Sequence, residues 1–290
     1  MPSLKEIRNR ITSVGSTMQI TSAMKMVSAA KLKRAQDAIT QMRPYANKLQ
    51  EILSNLSGTL DLSENSYSDH RDEKNVLIVA ITSNRGLCGG FNNNVIKKVT
   101  HLVNETYASK NVKVICLGKK VKDVFRRTEA YYINDTLVPV EDIFSSLSFE
   151  RNAIIANELM RLFSTKEFDK VVFVYNQFVN AATQNVVEEQ FLPVLPPAVN
   201  NSGSTDYIFE PNKEEIVSEL VPKSLKIQLF KALLDSNAAE NGARMTAMHK
   251  ATDNAKELQR SLKLSYNKAR QAAITNEILE IVGGAEALNA

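Results

Sequence analysis

The segment SNRGLCGGFNNN (83–94) is where this sequence comes nearest to a chemical site. It follows an apolar β-branched run and precedes a helical pattern. At that position α/β sheets hold phosphate on glycine-rich backbone amides at a helix N-terminus. Its spacing is GxxGG, neither GxGxxG nor GxxxxGK[ST], and no lysine or acid stands in a supporting place. The segment therefore reads as a structural turn or a partner contact, carried by Arg85, Gly86, Cys88, Gly89 and Gly90. His70, His101 and His249 are scattered, and none lies near a glycine-rich turn with a serine nucleophile, so an acyl-transfer triad has no support. Asp253 and Glu257 share a helical face, but Lys250 and Lys256 surround them, as on a solvated ion-pair surface. Cys88 and Cys116 form no CxxC and read as small core residues of a reducing compartment. The expectation is a chain without catalytic residues, cofactor or metal.

Charge and apolarity are unevenly placed. The first 36 residues set Lys5, Arg8, Arg10, Lys25, Lys31, Lys33 and Arg34 against one acid, Glu6. Such a run is either a solvated helix face or a surface for an acidic partner: nucleic acid, anionic lipid or a carboxylate-rich protein loop. At the other end, Ile274, Ile278, Leu279, Ile281 and Val282 make a helix tip apolar around much of its circumference. A helix of that kind is normally buried, yet this chain has little with which to cover it. Arg270, Gln271, Thr275 and Glu277 add hydrogen-bonding groups beside the tip.

The elements that position these residues fall into three segments. From Ser3 to Arg43 there is no proline, and Leu4, Ile7, Ile11, Val14, Met18, Leu32, Ala35, Ile39, Met42, Ala46, Leu49, Leu53 and Leu56 keep one three-four frame. That predicts a long helix with a coiled-coil seam. Thr21, Lys25 and Ser28 interrupt the frame, and the apolar residues slip to Ile20, Met24 and Val27, which predicts a disturbed seam among the basic residues. Lys223–Val282 contains no proline, and Met248, Ala251, Ala255, Leu258, Leu262, Ala269, Ala272 and Leu279 keep a similar frame. Neither helix buries its stripe alone, so the two pair antiparallel. Between them NVLIVAIT (75–82), VKVICLG (112–118) and DKVVFVY (169–175) read as buried strands. Helical stretches near 92–109 and 150–166 separate them, which predicts a mostly parallel sheet. QNVVEEQFLPV (184–194) reads as an edge strand closed by Pro196 and Pro197, with polar linkers at 63–74 and 200–206. The fold class is thus a Rossmann-like α/β insert in an extended α-helical hairpin. Its segments are an N-terminal coiled-coil helix (1–62), the α/β domain (74–205) and a C-terminal coiled-coil helix (210–290).

LKEIRNRITSVGSTMQITSAMKMVSAAKLKRAQ, ITSNRGLCGGFN and ENGARMTAMHKATDNA…YNKARQAAITNEILEIVGGAEAL together resemble the gamma subunit of rotary ATP synthases. Asn84 stands where that family usually has an aspartate. The resemblance implies a non-catalytic central shaft that couples ion flow through the membrane sector to the cycling of catalytic beta subunits. Implied partners are the alpha and beta subunits of the catalytic ring, the epsilon subunit and the c-subunit ring. It further implies that Met24 and Lys25, with Lys31, Lys33 and Arg34, face an acidic loop of the beta subunit. Arg270, Gln271, Thr275 and Glu277 become a polar catch, and the apolar tip becomes a bearing. No nucleic acid, nucleotide or cofactor is expected to bind the chain directly. The start MPSLKEIRNR has no apolar stretch of a secretory signal, and no leader or cysteine-bearing insertion is evident. The expected place is the cytoplasmic face of a bacterial plasma (inner) membrane, held there through partners. The rival readings are a nucleic-acid-binding or scaffolding coiled coil, which predicts salt-sensitive DNA binding, and a nucleotide-binding enzyme centred on 83–94.

Overall fold

A computed structural model describes residues 3–57, 66–138, 142–194 and 213–289. Pro196, Pro197, the 200–206 linker and the start of the 63–74 linker lie outside the described residues. Helix α1 runs Leu4–Ser57 and helix α5 runs Lys213–Asn289. Between them come β1 (Asn75–Ile81), α2 (Phe91–His101, continued by a π turn Leu102–Thr106), β2 (Asn111–Leu117) and α3 (Lys119–Phe125). A short 3-10 turn (Ile143–Ser145), α4 (Phe149–Ser164), β3 (Lys170–Phe178) and β4 (Gln184–Leu192) follow. The chain forms two compact units: Met1–Val27 with Met245–Ala290, and Ser28–Arg244.

The larger unit is built on a sheet of order β2-β1-β3-β4. β1 pairs in parallel with β2 and β3, and β4 closes the edge antiparallel to β3. The sheet is therefore mostly parallel, as the β-branched runs predict. Both faces are covered. Leu77, Val79, Ile81, Phe173 and Tyr175 pack with α4 and with Val221, Leu225, Leu229 and Leu233 of α5. Val76, Ile78, Ala80, Val114 and Val174 pack under Val95 and Val99 of α2 and Val121 and Phe125 of α3. Strands buried on both faces read as continuous apolar runs, which is why they stand out in the sequence. α5 is fastened to this body by polar contacts as well. Gln228 Nε2 donates to Glu189 Oε1 (2.8 Å) and Gln190 O (3.0 Å), and Asn152 Nδ2 donates to Lys226 O (2.7 Å). α5 begins at Lys213, ahead of the proline-free stretch that starts at Lys223, and passes through Pro222. α3 is an element the sequence pattern does not predict. It begins at Gly118, where φ is 109° and an added Cβ would stand 2.1 Å from Thr82 O. Only glycine fits that backbone and that approach.

In the smaller unit the two helices pair antiparallel. Arg8 Nη2 donates to Tyr266 Oη (2.7 Å), Gly15 faces Gln259, and Thr252 Oγ1 lies 2.8 Å from Thr21 Oγ1. The predicted slip does not occur. Thr21 is buried, as is Ser28 in the larger unit, whereas Ile20 and Val27 are 60% and 56% exposed. The seam keeps its frame because the Thr21 hydroxyl also donates to Met18 O (3.1 Å), so burying it leaves no polar group unsatisfied. The α5 frame is corrected too. Leu258 and Ala272 are exposed, and the polar Thr252, Gln259 and Tyr266, seven residues apart, lie on the partly buried side with Met248, Ala255 and Leu262.

Candidate functional site

In an open α/β sheet the ligand crevice lies at the C-terminal strand ends, where strand order reverses. Here that point is between β1 and β3, and the 83–90 turn leaves β1 beside it. The turn is closed by its own side chains. The Ser83 amide donates to Asn92 Oδ1 (3.0 Å), Ser83 Oγ donates to Arg85 O (2.6 Å), and Asn92 Nδ2 donates to Cys88 Sγ (3.1 Å). Asn176 at the end of β3 donates to Phe91 O (3.0 Å). Leu87 and Gly89 take positive φ, and Leu87 points its side chain to solvent.

The crevice itself is filled by α5. Ala239 packs on Cys88 and Phe91. Gly242 lies so close to the β3–β4 turn that an added Cβ would stand 3.2 Å from the Ala181 Cα and O. Arg244 Nη2 donates to Arg85 O and Gly86 O (both 3.2 Å), while its Nη1 pairs with Glu240 Oε1 at 2.5 Å. Burial pushes the Cys88 thiol upward, which disfavours its thiolate. Chemically, this arrangement binds the turn to a helix of the same chain. Arg244 escapes sequence reading because Glu240 and Arg244, four apart, resemble a surface ion pair. Their side chains are only 13% and 11% exposed.

Asn84 uses both ends of its amide. Its Oδ1 accepts from the Lys119 amide (3.1 Å) and its Nδ2 donates to Asp142 Oδ1. An aspartate here would have no proton to donate and would meet Asp142 as a like charge.

The remaining sequence-derived residues lie on the two long helices. In the smaller unit Met24 and Lys25 are half-buried, and Lys25 Nζ lies 3.5 Å from His249 Nδ1. His249 is also 3.5 Å from Asp253, so that acid pairs with a residue other than the two flanking lysines. In the larger unit Lys31, Lys33 and Arg34 are exposed, and Lys33 pairs with Asp37 at 2.9 Å. Arg270, Gln271, Thr275 and Glu277 are all exposed on α5, and Thr275 Oγ1 donates back to Gln271 O (3.0 Å). Ile274, Ile278, Leu279, Ile281 and Val282 are 48–71% exposed. At about 100° per residue these five fall within an arc of roughly 160°, with Arg270 and Glu277 at one margin and Gln271 and Thr275 inside it. Catch and tip thus share one half of the helix. The opposite half carries Ala272, Asn276, Glu280, Gly283 and Gly284, so the apolar surface is one-sided.

Among the described residues no group of three or more His, Cys, Asp and Glu could hold a metal ion, and no helix is long and apolar enough to cross a membrane. A family model described as ATP synthase matches residues 3–288. ATP synthase gamma chains of Christiangramia forsetii and Flavobacterium johnsoniae are 60% and 62% identical, each over 100% of both chains. Among solved structures, the fold is similar to a chain of the Tetrahymena thermophila mitochondrial ATP synthase central stalk and c-ring. That likeness has a TM-score of 0.56 at 25% identity and covers 80% of this chain and 99% of that one. A chain of the Euglena gracilis mitochondrial ATP synthase gives a TM-score of 0.66 at 22% identity, covering 98% and 94%. A match over nearly the whole length, by sequence and by fold, establishes that the chain belongs to the ATP synthase gamma-chain family.

Proposed function

We propose that the chain is the non-catalytic rotor shaft of a rotary ATP synthase, transmitting rotation driven by ion flow to the catalytic beta subunits. The observation that carries this reading is the bare apolar arc of α5, five large side chains exposed at a helix end with nothing of this chain over them among the described residues. An exposed cluster of that kind marks an interaction surface. Non-directional apolar contact suits a bearing, because it holds the shaft without fixing its angle. The catch residues Arg270, Gln271, Thr275 and Glu277 share that half of the helix, so they reach the surrounding alpha and beta subunits only at particular angles. Differential contact at each angle favours a different beta conformation, and torque follows from that difference. Lys25, Lys31, Lys33 and Arg34, with Met24 beside them, present positive charge to an acidic loop of the beta subunit, each exposed pair contributing about 0–1 kcal/mol, so the effect is distributed.

The α/β insert (74–205), between coiled-coil segments 1–62 and 210–290, rests on the epsilon subunit and the c-subunit ring. The chain is thereby peripheral, at the cytoplasmic face of a bacterial plasma membrane. The absence of nucleotide binding by the chain itself is supported by α5 residues Ala239, Gly242 and Arg244 standing where a nucleotide would enter the sheet.

The test is co-expression with the alpha and beta subunits and an ATP hydrolysis assay, with and without residues 270–290. An active complex that assembles on the full chain and turns over more slowly, or assembles loosely, on the truncated one is the expected result. Full-rate hydrolysis by a tight complex lacking 270–290 would refute the bearing, and failure of the full chain to join would refute the shaft.

A further inference from the structure

In the smaller unit one imidazole nitrogen stands between a group that only donates and a group that only accepts. His249 Nδ1 lies 3.5 Å from Lys25 Nζ on α1 and 3.5 Å from Asp253 Oδ2, one turn further along α5. An ammonium has no acceptor and an ionised carboxylate no donor, so Nδ1 satisfies one neighbour at a time. Without a proton it accepts from Lys25 and turns its lone pair on Asp253. With a proton it donates to Asp253 and repels Lys25. On α1 the charged group at the ring is Lys25; on α5 they are Asp253 and the exposed Lys250, which adjoins His249 in sequence. Lys25 keeps the three-four spacing of Met18 and the buried Thr21, and it is half-buried. A lysine so placed packs its stem in the seam while its head is free to lie on α5 or to reach outward. The His249 and Asp253 side chains are 57% and 64% exposed, so protons reach the ring directly. Nothing in the shaft reading uses either residue.

We propose that His249 is a proton-operated selector that holds Lys25 on the shaft or releases it to its partner. The deprotonated ring accepts from the ammonium and keeps it against α5. The protonated ring pairs with Asp253 and turns the ammonium outward, toward the acidic loop of the beta subunit. The proposal rests on the reading of Lys25 as a contact of that loop and adds its regulation. Histidine is the side chain that changes charge between about pH 5 and 8, so acidification around the shaft tightens the collar and alkalinisation loosens it. Exposed pairs exchange at small cost in either direction. The selector therefore biases Lys25 by a factor of about two to five and does not switch it all-or-none.

The first measurement labels the lysines of the full-length chain as isotopically enriched dimethylamines, which keep their charge. The Lys25 signal, assigned with K25R, is followed by NMR from about pH 8 to about pH 6. It is expected to move with pH in the wild type and to stay still in H249Q, whose amide accepts from Lys25 throughout. The second measurement uses the chain assembled with the alpha and beta subunits and a zero-length carbodiimide, which joins an amine to a carboxylate in contact with it. Lys25 crosslinks to beta are mapped by mass spectrometry and scaled to the yield in H249Q. The scaled yield is expected to rise about two- to fivefold from the higher pH to the lower. A Lys25 signal indifferent to pH, or one that moves equally in H249Q, overturns the selector, and so does a flat crosslink ratio. A signal that follows His249 with no Lys25 crosslink to beta at either pH refutes the beta-loop reading instead, and the release of Lys25 to that loop with it.

Discussion

Arg244 closes the sheet's crevice, and its removal is the sharpest test of that role. The side chain is 11% exposed, bridges to Glu240 at 2.5 Å and donates to the Arg85 and Gly86 carbonyls. In R244A the Glu240 carboxylate, 13% exposed, loses its cation. Breaking a buried pair from one side costs about 3–5 kcal/mol, and this pair keeps some access to water, so the lower end applies. The carbonyls add little. Arg85 O keeps Ser83 Oγ and Asn92 Nδ2 as donors, and Gly86 is exposed. The expected loss is about 3 kcal/mol, or a melting temperature lower by about 5–10 °C for a chain of this size. R244K keeps the charge without the planar fork and loses about 1 kcal/mol. E240Q combined with R244M strands no charge and costs less than R244A alone. Urea titration of the full chain followed by circular dichroism measures all three. A loss below about 1 kcal/mol in R244A, or a double variant worse than the single, would show that packing of Ala239 and Gly242 holds the turn and that the arginine does not.

Three further perturbations probe separate parts of the chain. G118A would force a Cβ to 2.1 Å from Thr82 O at a φ of 109°, and soluble expression is expected to collapse; native-like yield and melting would contradict the close approach. Thr21 and Thr252 face each other through hydroxyls 2.8 Å apart. Each single valine variant therefore destabilises the helix pair, while T21V with T252V is nearly neutral, and a double-mutant cycle should read about 1 kcal/mol of coupling. The Lys110 and Lys170 ammonium groups hold the Glu73 carboxyl below its usual range. A depressed carboxylate pKa stabilises the fold above the unfolded value, about 4.3, and that share is lost as pH falls through the folded value. The advantage of the wild type over E73Q should thus be present at pH 7, under about 1 kcal/mol because Glu73 is 38% exposed, and be lost in urea midpoints as pH falls through the folded value.

What the sequence discloses follows the physics of each element. The three central strands are legible because burial on both faces leaves only β-branched and apolar residues in them. The long helices are legible from apolar frames that hold over many turns. The seam itself is misread at Thr21 and Ser28, because hydrophobic patterning assigns an interface to apolar side chains. A pair of small hydroxyls that bond each other, or the preceding turn, packs there as well. The same bias picks Leu258 over Gln259, although Gln259 lies on the partly buried side and faces Gly15. α3 is invisible because seven residues carry too little periodicity. Of the candidate site, the exposed tip is plain from five large apolar residues at the end of a helix. The Arg244 lock is not, because nothing local separates a buried i, i+4 pair from a solvated one.

These two outcomes bear on why a nucleotide-type fold serves in a shaft. Strand order and the β1 turn place an opening between β1 and β3, as in any doubly wound sheet. In this chain Ala239, Gly242 and Arg244 enter that opening from α5, and each is suited to close approach or to bonding carbonyls. A crevice that elsewhere would hold a ligand becomes the socket in which a long helix is gripped. A socket of that kind resists twisting better than an apolar face alone, because the Arg244 hydrogen bonds are directional while apolar packing is not. Torque passing between sheet and helix therefore needs the directional contacts most. Under that argument R244A should weaken coupling to ATP hydrolysis in the assembled complex at temperatures where the chain remains folded. Unchanged coupling there would assign the grip to packing.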